Sequence, residues 1–190
     1  VLRGAIMIVM ALDHIRDFLH RSAITGASPT DFRTTTTVLF LTRWITHFCA
    51  PVFALTAGLG AWFWLQNGRT RSQLSRFLVT RGLWLMLLEL TVMRVAYQFA
   101  WWSEAPLFLL VVWSLGLSMV ALAAIIWLPI RAIAPLGAAI ILLHPLLADV
   151  PVARFLHQLF IAQSSGLTVI SPYPLLPWLG VMALGFGLGP

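Results

Sequence analysis

Met10-Ala11-Leu12-Asp13-His14-Ile15-Arg16-Asp17-Phe18-Leu19-His20-Arg21 continues the apolar run Gly4–Leu12 with no polar break before Asp13. A second group, Arg43-Trp44-Ile45-Thr46-His47, lies inside the apolar stretch Val38–Gln66. An ionised side chain at the centre of a bilayer costs about 2.5–3.5 kcal/mol even on lenient insertion scales. Residues that expensive are kept to meet a substrate, an ion, a proton or each other. The chain therefore reads as a bundle of membrane helices with a polar site built between them.

Composition agrees. Hydrophobic residues make up 60% of the 190 and charged residues 9%, with a mean hydropathy of +0.92; soluble domains carry about a quarter charged residues. The net charge of +6 comes from twelve Arg, with no Lys, against six acids. In a soluble protein such a balance would raise nucleic acid as a partner. Here the arginines fall mostly between apolar segments, where topology and lipid headgroups explain them, so the bilayer and not nucleic acid is the expected partner. Cys49 is the one cysteine, which excludes an intramolecular disulfide. The start at Val1 and the stop at Gly189-Pro190 inside an apolar run suggest a fragment of a longer protein, truncated at both ends. The first segment leads into Asp13–Arg21 rather than a small-residue cleavage site, so it is not read as a signal peptide.

A helix needs about 20 apolar residues to cross the hydrocarbon core. Six segments qualify or nearly do, and the expectation is a single all-α domain over 1–190, a polytopic transmembrane helical bundle of about six spans. The spans fall near 1–20, Thr37–Gln66, Phe77–Ala100, Ala105–Ile130, Ala132–Ala148 and Pro174–Pro190. Pro51 is expected to kink the second, because it lacks an N–H. Arg69, Arg71, Arg76 and Arg81 lie between spans two and three with no acid, and Arg131 lies between four and five; the positive-inside rule makes these cytoplasmic. Arg21, Asp31, Arg33, Glu104, Asp149 and Arg154 then lie outside. Tryptophans near span ends, such as Trp62, Trp64, Trp101 and Trp127, suit an interfacial belt.

On a helix Asp13, Arg16, Asp17 and His20 share one face at spacings i, i+3, i+4, i+7. One reading is a carboxylate that orients a histidine, leaving its other ring nitrogen as base or nucleophile. The plainer reading is a helix end emerging into water, which suits residues 16–21 better than the deeper Asp13 and His14. Arg43 and His47 stand at i, i+4 with Thr46 beside them. An interfacial Arg and a hydrogen-bonded His would be ordinary, yet Thr37–Leu41 lie farther out than Arg43, which then needs an acid partner, Asp13 or Asp17. The loop with Pro29-Thr30-Asp31 sits over this group. Glu89 and Arg94 read as structural or as a site wall, and His144-Pro145 as a satisfied helix kink. The motifs Gly58-x-Gly60, Ser114-x-Gly116-x-Ser118 and Gly185-x-Gly187-x-Gly189 read as helix-packing surfaces. No residues show metal-ligand spacing.

The segments Leu2-Arg3-Gly4, Met10–Phe18 and Leu41-Thr42-Arg43-Trp44-Ile45-Thr46-His47-Phe48-Cys49-Ala50-Pro51 resemble the bacterial branch of the heparan-alpha-glucosaminide N-acetyltransferase family. Ala57-Gly58, Trp113–Ser118 and Tyr173–Met182 continue the likeness, which covers the whole chain in order. The resemblance implies a multi-pass acyltransferase of the bacterial inner membrane. Such an enzyme takes an acetyl group from cytoplasmic acetyl-CoA, used as co-substrate, and delivers it to a sugar amine on the far side. The family's catalytic histidine would fall on His20 or His14, and the polar residue before its second-span proline on His47.

These strands meet in one expectation: an acetyl-CoA-dependent N- or O-acetyltransferase acting on a saccharide or other envelope acceptor. Asp13, His14, His20 and His47 would be catalytic, with Arg43, Asp17, Thr46 and Asp31 contacting substrate. Acyl-CoA phosphates would meet Arg69, Arg71, Arg76 and Arg81, and no metal is called for. Homodimer formation is left open. Two rivals stand beside it. A proton-coupled secondary transporter would use the same Asp/His/Arg group as a relay, though no inverted repeat relates spans one–three to four–six. A non-catalytic subunit would use its buried charges only to hold helices together.

Overall fold

The computed structural model describes residues 2–19, 28–33, 35–98, 107–147, 169–170 and 173–190. As expected, the fold is helical: α1 (Leu2–Leu19), α2 (Thr37–Thr46), α3 (Cys49–Gln66), α4 (Arg71–Leu88), a π-helical segment (Glu89–Met93), α5 (Arg94–Gln98), α6 (Val111–Ile125), α7 (Ile130–Leu147) and α8 (Leu175–Gly187). The two-residue strands β1 (Leu107–Phe108) and β2 (Val169–Ile170) pair in parallel, Leu107 opposite Val169. By length and apolarity Thr37–Gln66 is fit to cross a membrane, with 30 residues and a mean hydropathy of 1.6. The apolar helices α6, α7 and α8 are shorter. Arg21, Trp101, Glu104, Asp149 and Arg154, used to orient the spans, lie outside the described residues.

The chain divides into two compact units, Val1–Phe53 and Ala54–Pro190. In the first, α1 packs on α2. The Thr36 hydroxyl opens α2 by accepting from the Leu39 N–H at 3.3 Å. The long apolar stretch then breaks where Pro51 requires it. A proline has no N–H to give the carbonyl four residues back, and its ring crowds that carbonyl. That residue is His47, where α2 ends, and the Phe48 N–H turns instead to the Ile45 carbonyl at 3.2 Å. Helix resumes at Cys49, which is buried with its Sγ 3.9 Å from the Ile6 carbonyl of α1.

In the second unit the chain turns after α3 at Gly68, whose φ of 74° is a left-handed position suited to glycine. Thr70 and Gln73 then form a capping box that starts α4. The apolar core gathers from α3, α4, α6, α7 and α8, with Leu74, Leu78, Leu122, Ile133, Met182 and Phe186 at its centre. Close backbone approach holds it together. A Cβ on Gly82 would fall 2.5 Å from the Gly116 carbonyl oxygen, and one on Gly116 would fall 2.6 Å from that of Gly82, so α4 and α6 cross at a glycine pair. Gly185 likewise sits against the Leu55 backbone, as the packing reading of these glycines requires. His144 Nδ1 lies 2.8 Å from the Ile141 carbonyl of its own helix.

Glu89 is 2% exposed and begins the π-helical segment, whose wider turn is closed by the Arg94 N–H bonding the Glu89 carbonyl. Its carboxylate meets the start of another helix: Oε1 accepts from the Leu110 N–H at 3.2 Å and Oε2 from the Trp113 N–H at 3.3 Å. Leu110, at the N-cap of α6, offers no capping side chain, so Glu89 caps that helix from α4's end and sets a negative charge against its positive pole. Leaving a buried N–H unbonded costs about 1–3 kcal/mol, which applies in full to the buried Trp113 N–H and less to the part-buried Leu110 N–H. Glu89→Ala should therefore lower the melting temperature of the detergent-solubilised protein clearly, and Glu89→Gln, which keeps one acceptor oxygen, should lower it less. Equal melting of wild type and Glu89→Ala would show that the cap contributes nothing.

Candidate functional site

The first unit carries a polar cluster built on helical spacing. Asp13 and Arg16 are one turn apart on α1, and Arg16 Nη1 lies 2.6 Å from Asp13 Oδ1. Arg43 and Thr46 are one turn apart on α2 and reach the same carboxylate. Arg43 Nη1 donates to Asp13 Oδ2 at 2.8 Å, and the Thr46 hydroxyl donates to Oδ1 at 2.6 Å. Thr46 Oγ1 also lies 3.0 Å from the Arg43 carbonyl, so its one proton is shared between a charged and a neutral acceptor, and the charged one is nearer. The side chains of Asp13 and Arg16 are 13% and 10% exposed, and that of Arg43 is 28% exposed. Two guanidiniums and a hydroxyl thus enclose one carboxylate, and they tie α1 to α2.

Two cavities flank this cluster. The larger, about 470 Å³, has Asp13, Arg16 and Thr46 in its wall. The smaller, about 210 Å³, is lined by Arg43 and His47 with Thr30, Phe40, Trp44 and Phe48. Trp44 and Phe48 meet edge to face, their centroids 5.2 Å apart. Arg43 therefore has one end on Asp13 and belongs to the wall of the pocket that holds His47.

Of the two acids expected as partners for Arg43, Asp13 or Asp17, the described contact is with Asp13. Among the described residues the Asp13 carboxylate meets Arg16, Arg43 and Thr46. His14 follows it on α1, is exposed and does not line either of these cavities. His20 and the Asp17 side chain lie outside the described residues. Asp31 sits in an exposed turn, where its Oδ1 accepts from the Arg33 N–H at 3.0 Å. Arg16 was not singled out as a site residue, although its i, i+3 spacing from Asp13 was the available signal.

The four arginines expected to meet acyl-CoA belong to the second unit. Arg69 lies over the Trp64 ring, Trp64 stacks on Phe77 with centroids 5.0 Å apart, and Arg81 lies over Phe77. Arg71 Nη1 donates to the Trp127 carbonyl at 3.2 Å, and Arg76 is exposed. Among the described residues no three His, Cys, Asp or Glu side chains converge as metal ligands would.

A predominantly helical fold whose apolar helices α1 and α2 hold an ion-paired carboxylate between them defines, among the described residues, a helical protein with a polar site in apolar surroundings. The chain belongs to a known family: its residues 1–190 match the family described as heparan-alpha-glucosaminide N-acetyltransferase, catalytic, a membrane-associated acetyltransferase type. No curated protein and no solved structure matches the chain.

Residues sharing one charge cluster are coupled by about 0.5–3 kcal/mol. Asp13→Ala, Arg43→Ala and the double variant should show such coupling in a double-mutant cycle on detergent-phase unfolding, with the double variant less damaged than the two single losses added. Strict additivity would mean that the pair is not energetically joined.

Proposed function

We propose that the protein is a multi-pass acyltransferase of the bacterial inner membrane. It moves an acetyl or longer acyl group from cytoplasmic acyl-CoA to an amine or hydroxyl of a saccharide or other envelope acceptor. Family membership over the whole chain supports the reaction class. The observation that carries the site is that Arg43 and His47 line one pocket while Asp13 holds Arg43 in place.

In this reading His47 takes the proton from the acceptor amine or hydroxyl as that group attacks the thioester carbon. The carbonyl becomes an oxyanion, and Arg43, already oriented by Asp13, supplies the opposing charge. Collapse of the tetrahedral intermediate re-forms the carbonyl, breaks the carbon–sulfur bond and releases coenzyme A, which takes up the proton. His47 as transient acyl carrier would use the same residues in two steps. Thr46 and Asp13 act through Arg43, holding its guanidinium in one position. The phosphates of the donor suit the acid-free basic segment, where Arg71 and Arg76 are outside the aromatic stack that engages Arg69 and Arg81.

The test is acyl transfer from radiolabelled acetyl-CoA by full-length protein in proteoliposomes, wild type beside His14→Ala, His20→Ala and His47→Ala. His47→Ala should abolish transfer, and Arg43→Gln should lower kcat about 10²–10³-fold, as loss of one oxyanion donor does. Full activity in His47→Ala would remove His47 from the mechanism. Arg71→Gln/Arg76→Gln should raise KM for acetyl-CoA several-fold with kcat retained; an unchanged KM would take the donor's phosphates elsewhere.

A further inference from the structure

The larger cavity has a chemistry of its own, which the transfer step does not use. Its walls are mostly aliphatic: Val9 and Leu12 from α1, with Val38, Leu39 and Ile45 from α2. Three threonines also border it, but two are committed to the backbone of α2. Thr36 accepts from the Leu39 N–H at 3.3 Å, and Thr42 donates to the Leu39 carbonyl at 2.8 Å. The remaining polarity is gathered where Asp13, Arg16 and Thr46 meet. A volume of about 470 Å³ falls within the ~300–1,000 Å³ of ligand sites, which pair apolar walls with a few convergent polar groups. Water fills such a space poorly, since each ordered molecule needs about 2–4 polar partners. At the rim Leu12, Val38 and Ile45 are 61%, 74% and 52% exposed, so a molecule arriving from a hydrocarbon phase meets apolar surface all the way in.

The geometry points to this cavity as a binding site for an aliphatic chain, lying against Val9, Leu12, Val38, Leu39 and Ile45 with its polar end where Asp13, Arg16 and Thr46 meet. Two molecules share that chemistry: the acyl chain of a long-chain acyl-CoA donor, and the chain of a lipid that bears the acceptor amine. The chain's part in a reaction rests on the acyltransferase reading above; its occupancy of the cavity does not.

The experiment uses full-length protein in phosphatidylcholine nanodiscs with two photoreactive probes, a 16-carbon acyl-CoA and a long-chain alkyl amine, each with a diazirine in its chain. Cross-links are mapped by mass spectrometry. Labelling by at least one probe should concentrate at residues 9–12 and 38–45, several-fold above the lipid-facing Leu87 and Leu142. It should be lost in Leu39→Trp and in Val9→Trp, each of which fills the space from a different helix. Competition by unlabelled palmitoyl-CoA but not acetyl-CoA assigns the chain to the donor, and labelling by the amine alone assigns it to the acceptor. Should either variant fail to fold, the wild-type ratio and the competition still decide. Even labelling over all exposed apolar helix residues, or labelling unchanged in both folded variants, overturns the proposal. Concentrated labelling in a protein that turns over no acyl-CoA would uphold the chain site and sink the enzymatic reading alone.

Discussion

A carboxylate between two apolar helices persists only if its charge is answered at short range, and much of the first unit is arranged to answer Asp13. The Asp13 side chain is 13% exposed, so most of the cost of desolvation falls on whatever the protein supplies. Arg16 comes from the same helix and Arg43 and Thr46 from the next, which makes the neutralisation of one charge the same event as the docking of α1 on α2. A buried thiol near the Ile6 carbonyl also links the two stretches, but it is a weak donor and adds little direction. The polar cluster thus specifies which helix faces meet, while apolar contact alone would tolerate many rotations.

The same constraint governs what chemistry the site can do. An arginine free to swing would trade an oxyanion for the nearest carboxylate. One already anchored through Nη1 meets a developing charge without reorganising, the condition under which electrostatic stabilisation is largest. His47 stands at the end of α2 because Pro51 denies the helix its continuation, so the break in the backbone and the place of the histidine have one cause.

Some of this was legible in the residues themselves. The helical class followed from apolar runs with few charges, the break from Pro51, the packing surfaces from small-residue spacing, and the partner of Arg43 from the need of a buried cation for an acid. Other features were hidden because they depend on which helices become neighbours. Nothing local to Glu89 says that it will cap α6, since the two backbone donors it meets are 21 and 24 residues away. The stack of Arg69, Trp64, Phe77 and Arg81 spans the end of one helix and the start of the next, beyond any single periodicity. Asp13 reads as the orienter of a histidine because it shares a helical face with His20 and stands next to His14. Its described partners are one turn on, at Arg16, and across the interface, at Arg43 and Thr46, and only the first of these is visible in local spacing.

The π-helical turn at Glu89–Met93 also sets a length constraint. A wider turn holds one residue more than an α-helical turn would. Removing one residue from it would restore the α-helical register and turn Arg94–Gln98 by about 100° relative to α4. Because the carboxylate of that turn also caps α6, a change of helix length there would be felt in a second helix, 21 residues farther along the chain.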